Sequence, residues 1–178
     1  MRCLARERVP TKKNPFTVKR VELEGYTLKS TLTDGQTRHI SQLLAMMDPW
    51  LSLGFSADGL QNYLCRQDPA LRRYGIFHDD DAPIGVLSIR YPWLRGPYIE
   101  LLGVEANHQG KGIAKQVMAW IEEQTLPHAR NVWIAASTFN TRAISAYERY
   151  GFQRIGSLDN LVAEGKSEVL MRMRIPRD

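Results

Sequence analysis

Apolar positions along this chain recur first at strand spacing and then, repeatedly, at helix spacing. Residues 26–32, Tyr-Thr-Leu-Lys-Ser-Thr-Leu, alternate and predict a strand. Asp34 is a candidate cap for a helix that carries Ile40, Leu43, Leu44 and Met47 on one face. Pro49-Trp50 ends it, and residues 51–55 predict a loop closed by Gly54. Ser56 then caps a second helix through Leu60, Tyr63 and Leu64. Residues 73–78 predict a strand, Asp79-Asp80-Asp81 a turn, and residues 84–90 the returning strand of a hairpin. A further strand is predicted over 98–105. From Gln109 to about Glu123, Ile113, Val117, Trp120 and Ile121 share one helical face. Residues 131–136 predict a short apolar strand. Asn140 caps a helix that stops at Gly151, the residue type favoured just past a helix end. Residues 153–155 and 168–175 predict closing strands. The pattern therefore predicts an α/β fold, a central mixed β-sheet with helices on both faces.

Size and composition narrow the class. A chain of 178 residues, 43% hydrophobic, suits one domain with at most an added arm. At this size roughly 70% of the unfolded surface can be buried, so no disulfide or metal staple is required. The two cysteines, Cys3 and Cys65, belong to no Cys/His cluster, which argues against a zinc site, and no metal is expected. No apolar run approaches the ~18 residues of a membrane span.

The net charge of +5, with a pI near 9.4, suggests an anionic partner. It is unevenly placed. Residues 1–20 hold seven of the 24 basic side chains and one of the 19 acidic ones (Glu7), for +6. Residues 21–178 keep 17 basic and 18 acidic groups, for −1. The expected division is a flexible basic arm over 1–24 and one domain over 25–178. No apolar core of about 7–15 residues follows the first basic residues, so no secretory signal is expected. Pro10, Lys12-Lys13 and Pro15 interrupt any amphipathic transit helix. A solvated extension is favoured over a nucleic-acid-contacting tail. The expected compartment is a reducing cytoplasm.

The chemistry-bearing stretch is Glu100 to Ala114, Glu-Leu-Leu-Gly-Val-Glu-Ala-Asn-His-Gln-Gly-Lys-Gly-Ile-Ala. A strand runs into a turn that opens a helix. Gly110 and Gly112 let the backbone approach a ligand, and the free N–H groups of the helix start favour an anion. Lys111 could add a point charge. A P-loop spacing is absent. A dinucleotide fingerprint would need a small residue where Lys115 stands and an acidic residue where 132–136 offers none. Gln109-x-x-Gly112-x-Ala114 resembles the Gln/Arg-x-x-Gly-x-Gly/Ala loop of the GNAT acetyltransferases. Asn140-x-x-Ala143-x-x-x-Tyr147-x-x-x-Gly151-Phe152 resembles their second signature, at the usual distance after the first.

The resemblance covers about residues 26–175 and implies the GNAT acyl-CoA N-acyltransferase fold. It implies acetyl-CoA as acyl donor, lying between two splayed strands, here 98–105 and 131–136. Leu102, Gly103 and Val104 would hold the pantetheine and polarise the thioester carbonyl. Backbone N–H groups from Gln109, Gly110, Lys111, Gly112, Ile113 and Ala114 would hold the pyrophosphate. Asn140 would cap its helix and reach the cofactor's amides, or act as a cap alone. Tyr147 would protonate the departing thiolate, or serve as a core aromatic. Glu100 is the candidate base, expected on the face of Leu102 and Val104 by the period-two rule, with an ion-paired carboxylate as its other reading. Glu105 falls on the opposite face, and His108 is expected to be exposed.

For the acceptor, the ribosomal-protein alanine acetyltransferases have a glutamate where this chain has Ala135. Pro49-Trp50-x-x-Leu53-Gly54 and the tail 158–172 resemble instead a bacterial GNAT subgroup whose acceptor is unassigned. Trp50 and Leu53 are candidate pocket walls, with a buried Trp packing a loop as the other reading, and Asp159 and Glu168 are candidate partners for a cationic acceptor or members of structural ion pairs. The expected activity is N-acetylation of a primary amine, on a small molecule or a peptide, by direct attack in a ternary complex. A non-catalytic acyl-CoA-binding domain and a protein N-terminal acetyltransferase are the alternatives. Neither a membrane nor a nucleic acid is an expected partner, and a homodimer is compatible with the superfamily's habits.

Overall fold

The computed structural model describes residues 14–79 and 82–176. Eight strands form one sheet: β1 (Arg20–Leu23), β2 (Tyr26–Lys29), β3 (Leu71–Phe77), β4 (Pro83–Trp93), β5 (Gly96–Val104), β6 (Asn131–Ser137), β7 (Gln153–Asp159) and β8 (Ser167–Arg174). Their order is β1-β2-β3-β4-β5-β6-β8-β7. Only the β5–β6 pair is parallel among the described residues, so the sheet is mixed as expected. The four helices are α1 (Asp34–Ala45), α2 (Ala57–Cys65), α3 (Ile113–Thr125) and α4 (Thr141–Tyr150).

The helices lie on both faces of the sheet. Ile40 and Leu44 of α1 and Leu60 and Leu64 of α2 pack on Val86 and Leu101. On the other face, Ile113, Val117 and Ile121 of α3 and Ile144 of α4 pack on Leu87, Ile89, Ile99 and Met171. The neighbours Val86 and Leu87 thus serve opposite cores, as the pleat requires.

Several boundaries differ from the sequence pattern. Thr33, not Asp34, caps α1. Its hydroxyl accepts from the Gln36 amide while the Gln36 side chain accepts from the Thr33 amide. This reciprocal capping box displaces Asp34 into the first turn, where its charge suits the helix dipole. Ser56, Asn140 and Gly151 cap as expected, Gly151 with φ +115°.

The expected arm divides. Residues 1–13 lie outside the described residues. Residues 20–23, by contrast, form β1 and pair with β2 around a two-residue Glu24-Gly25 turn, Gly25 taking φ +72°. Phe16 is fully buried, edge-on to Tyr91 and Trp120. Burying such a ring contributes about 1.5–3 kcal/mol, so residues from Phe16 onward belong to the folded body. The missed signal was the Glu24-Gly25 turn between alternating runs.

Candidate active site

β5 and β6 pair over two positions only, Tyr98 with Trp133 and Ile99 with Ile134, although β5 continues to Val104. Beyond Ile99 the two strands part. Backbone groups of β5 facing the gap therefore have no strand partner on that side, which is the splay that the GNAT resemblance implies.

A cavity of about 580 Å³ opens at the gap. Leu102, Gly103 and Val104 form one wall, Gln109, Gly110, Gly112, Ile113 and Ala114 a second, and Asn140 and Tyr147 of the α4 segment a third. The loop differs from the expected helix start. Residues 106–108 form a short 3-10 turn, and α3 begins only at Ile113. Gly110 and Gly112 take φ +79° and +81°, the left-handed region where a side chain would be strained. Gly112 supplies no side-chain cap. The first N–H groups of α3 are thus left to a ligand, and the helix dipole favours an anionic one. The Gln109 side-chain amide donates to the Val104 carbonyl at 2.8 Å and ties the loop to the strand end.

Lys111 does not line this cavity, because the turn directs it to solvent. Lys115, Arg142 and Arg149 line it instead. The sequence pattern missed them because they come from two helices that only the fold brings together. His108 also lines the cavity, and its side chain is only 18% exposed, not free in solvent as expected. Asn140 accepts from the Ala143 amide at 3.2 Å, so it does cap α4, and it lines the cavity as well. Burial pushes the Tyr147 hydroxyl up to about 12, which keeps it protonated at neutral pH.

A second cavity of about 160 Å³ lies on the α1/α2 side of the gap. It shares Pro49, Trp50, Leu102, Asn140, Ala143 and Tyr147 with the first, so the two meet there. Trp50 reaches this junction through the loop after α1. Asp48 accepts from the Ser52 amide and hydroxyl and holds that loop folded. The Trp50 ring rests on Gly103, where an added Cβ would fall 2.8 Å from it and 2.5 Å from Leu44.

Glu100 lines the smaller cavity, but not on the face expected. Ser88 pairs with Leu101 and Ile89 with Ile99, so Glu100 is the extra residue of a β-bulge. The bulge shifts the phase of the strand. Leu102 and Val104 pack with the α3-side core, while Glu100 meets Arg90 on the α1/α2 side. The Arg90 guanidinium holds it by two hydrogen bonds, of 2.8 and 3.3 Å, and also pairs with Asp68 at 3.0 Å. The ion-paired reading of Glu100 is the one the geometry realises.

The other acceptor candidates separate. Leu53 and Glu168 line the smaller cavity. Asp159 lines neither cavity: it is exposed on β7 and accepts from the Ser157 hydroxyl at 2.6 Å. Glu168 is 3% exposed, and neither carboxylate oxygen has a hydrogen-bond partner among the described residues. Burial pushes its carboxyl up, the nearby Val162 N–H acting the other way. Tyr98, beside it, is pushed up to about 12 by burial, with the Glu100 and Glu168 charges adding.

Comparison with known proteins fits this geometry. A model of the Acetyltransferase (GNAT) family matches residues 39–152, more than half of the chain. The chain belongs to this family. It is 37% identical over 102 residues to an acetyltransferase of Agrobacterium fabrum, covering 56% of this chain and 70% of that one. It is 28% identical over 112 residues to the S-(2-succino)cysteine N-acetyltransferase of Bacillus subtilis, covering 58% and 67%. Among solved structures, the spermidine N-acetyltransferase of Vibrio cholerae with CoA and spermine superposes with a TM-score of 0.63. At 20% identity over 84% of this chain and 95% of that one, it attests the fold. This GNAT chain is an acetyl-CoA-dependent acyltransferase, and the larger cavity has an uncapped helix start and nearby cations, an arrangement that favours an anionic ligand. No helix of the described residues is long and apolar enough to cross a membrane.

Proposed function

We propose that this chain moves an acetyl group from acetyl-CoA directly to a primary amine, with both substrates bound at once. The observation that carries this reading is the pair of cavities meeting at Trp50, Leu102 and Tyr147. One is the larger, lined by β5, the glycine turn and the start of α3, with cations among its lining residues. The other is small and holds carboxylates. A thioester held along β5 in the first would present its carbonyl carbon at the mouth of the second. Unpaired β5 N–H groups near Leu102 and Val104 would receive the developing oxyanion. Tyr147 borders both cavities and carries the proton that the departing thiolate needs. Asn140 combines its capping role with a place on the cofactor wall.

Titration calorimetry with acetyl-CoA, followed by initial rates with both substrates varied, tests the proposal. Saturable binding below about 1 mM and intersecting double-reciprocal lines are expected. Parallel lines would reveal an acetyl-enzyme and a two-step route. Absence of binding would remove the proposal altogether.

A further inference from the structure

Granted that reading, the smaller cavity narrows the class of the acceptor. Of its two carboxylates, Glu100 is already matched by Arg90. Glu168 is paired with no cation among the described residues, is buried, and lines the cavity. An uncompensated buried charge is costly, which favours a cationic group arriving from outside. No Lys, Arg or His of the described residues lines this cavity.

Its rim is apolar. Phe55, Leu161 and Val162 line it, yet stand 40%, 58% and 44% exposed. Trp50 and Leu53 continue the same surface inward. Large apolar side chains gathered at a cavity mouth mark a ligand surface. The volume of about 160 Å³ is close to the ~150 Å³ that accommodates a benzene ring.

We infer that the acceptor is a primary amine on an apolar, ring-sized body, and that Glu168 binds its ammonium and takes its proton. A polyamine would need a second unmatched carboxylate, and an amino dicarboxylate would need a cation; the cavity supplies neither. The reaction then balances as follows. The ammonium gives one proton to the Glu168 carboxylate. The freed nitrogen lone pair attacks the thioester carbonyl carbon and forms the C–N bond. The C–S bond breaks as the carbonyl re-forms. Tyr147 gives its proton to the sulfur and regains one from the nitrogen, and Glu168 releases its own to solvent. The products are the amide, the CoA thiol and one proton.

The test uses the full chain and three amines: 2-phenylethylamine, spermidine and aspartate. Acetyl-CoA affinity is measured alongside, for the wild type, Glu168→Gln and Glu100→Gln. Phenylethylamine should give a kcat/KM at least about tenfold above spermidine or aspartate. Glu168→Gln should lower that value about 100-fold or more with acetyl-CoA affinity unchanged, and Glu100→Gln should lower it less. A preference for spermidine or aspartate overturns the inference. So does an enzyme that binds acetyl-CoA and leaves phenylethylamine untouched, a Glu168→Gln variant at wild-type rate, or a larger loss in Glu100→Gln. Failure of the wild type to bind acetyl-CoA would instead sink the acetyl-transfer reading on which the inference rests.

Discussion

The two cavities that meet at Trp50 and Tyr147 are built from different materials. The larger is organised around backbone features, the splayed edge of β5, the turn at Gly110 and Gly112 and the uncapped start of α3, with Lys115, Arg142 and Arg149 lining it as well. The smaller is mainly side chains, brought from the α1–α2 loop, from β5 and from β8. A backbone site needs residues that permit a conformation, so it tolerates much change around two glycines. A side-chain site depends on a few groups whose order in the chain is unrelated to their adjacency. The first can serve any acceptor chemistry, while the second sets which acceptor enters.

Tyr147 belongs to both cavities, and its loss should have the largest effect on rate. Tyr147→Phe keeps the ring packed against Phe152 and removes only the hydroxyl. Turnover should fall about 100-fold or more, the usual contribution of a positioned general acid. Acetyl-CoA affinity should stay within about twofold. A mutant near wild-type rate would return Tyr147 to a purely packing role. Next in size is the cradle. Gly112→Val forces a branched residue to φ +81°, where L-residues are disfavoured by about 1–2 kcal/mol. If the turn gives way, the α3 amides are re-aimed and calorimetry should record acetyl-CoA affinity falling about tenfold or more. An unaltered affinity would mean that the pyrophosphate does not rest on this helix start.

This contrast also explains what the sequence made legible. The glycines of the turn, the Asn140 cap and Tyr147 sit at fixed spacings on contiguous elements, so those walls of the larger cavity could be assembled from motifs, while its cations could not. Glu100 could not be placed correctly. Strict alternation puts it with Leu102 and Val104, but a single extra residue in β5 reverses the phase, and no residue type announces that bulge. Asp159 and Glu168 looked equivalent in sequence. β7 is an edge strand with an exposed pattern, whereas β8 lies between β6 and β7, which leaves one carboxylate in solvent and buries the other. Neighbouring strand order, set by long-range pairing, separates them. The strand at 20–23 was hidden for a different reason: its Arg20 and Glu22 read as part of a charged arm, although the alternating Val21 and Leu23 pack on the core.

The smallest of these effects concerns the boundary between the two cavities. Gly103 lets the Trp50 ring approach β5 closely, and a methyl there would meet both that ring and Leu44. Leu44 is fully buried and cannot yield cheaply, so Trp50, half-buried at the cavity junction, is the group that moves. Gly103→Ala should therefore cost about 1–3 kcal/mol of stability, as overpacking does, visible as a lowered midpoint in urea. Its kinetic signature should be a raised KM for the amine, by roughly threefold to tenfold, with a smaller change for acetyl-CoA, since the helix-start cradle is untouched. Asp159→Ala is the matched control on the acceptor side. Its carboxylate lies outside both cavities, so both KM values should stay within about twofold of wild type. If Gly103→Ala weakened acetyl-CoA and the amine equally, Trp50 would be a wall of the cofactor site alone, and the division of labour between the two cavities would fail at the residue that joins them.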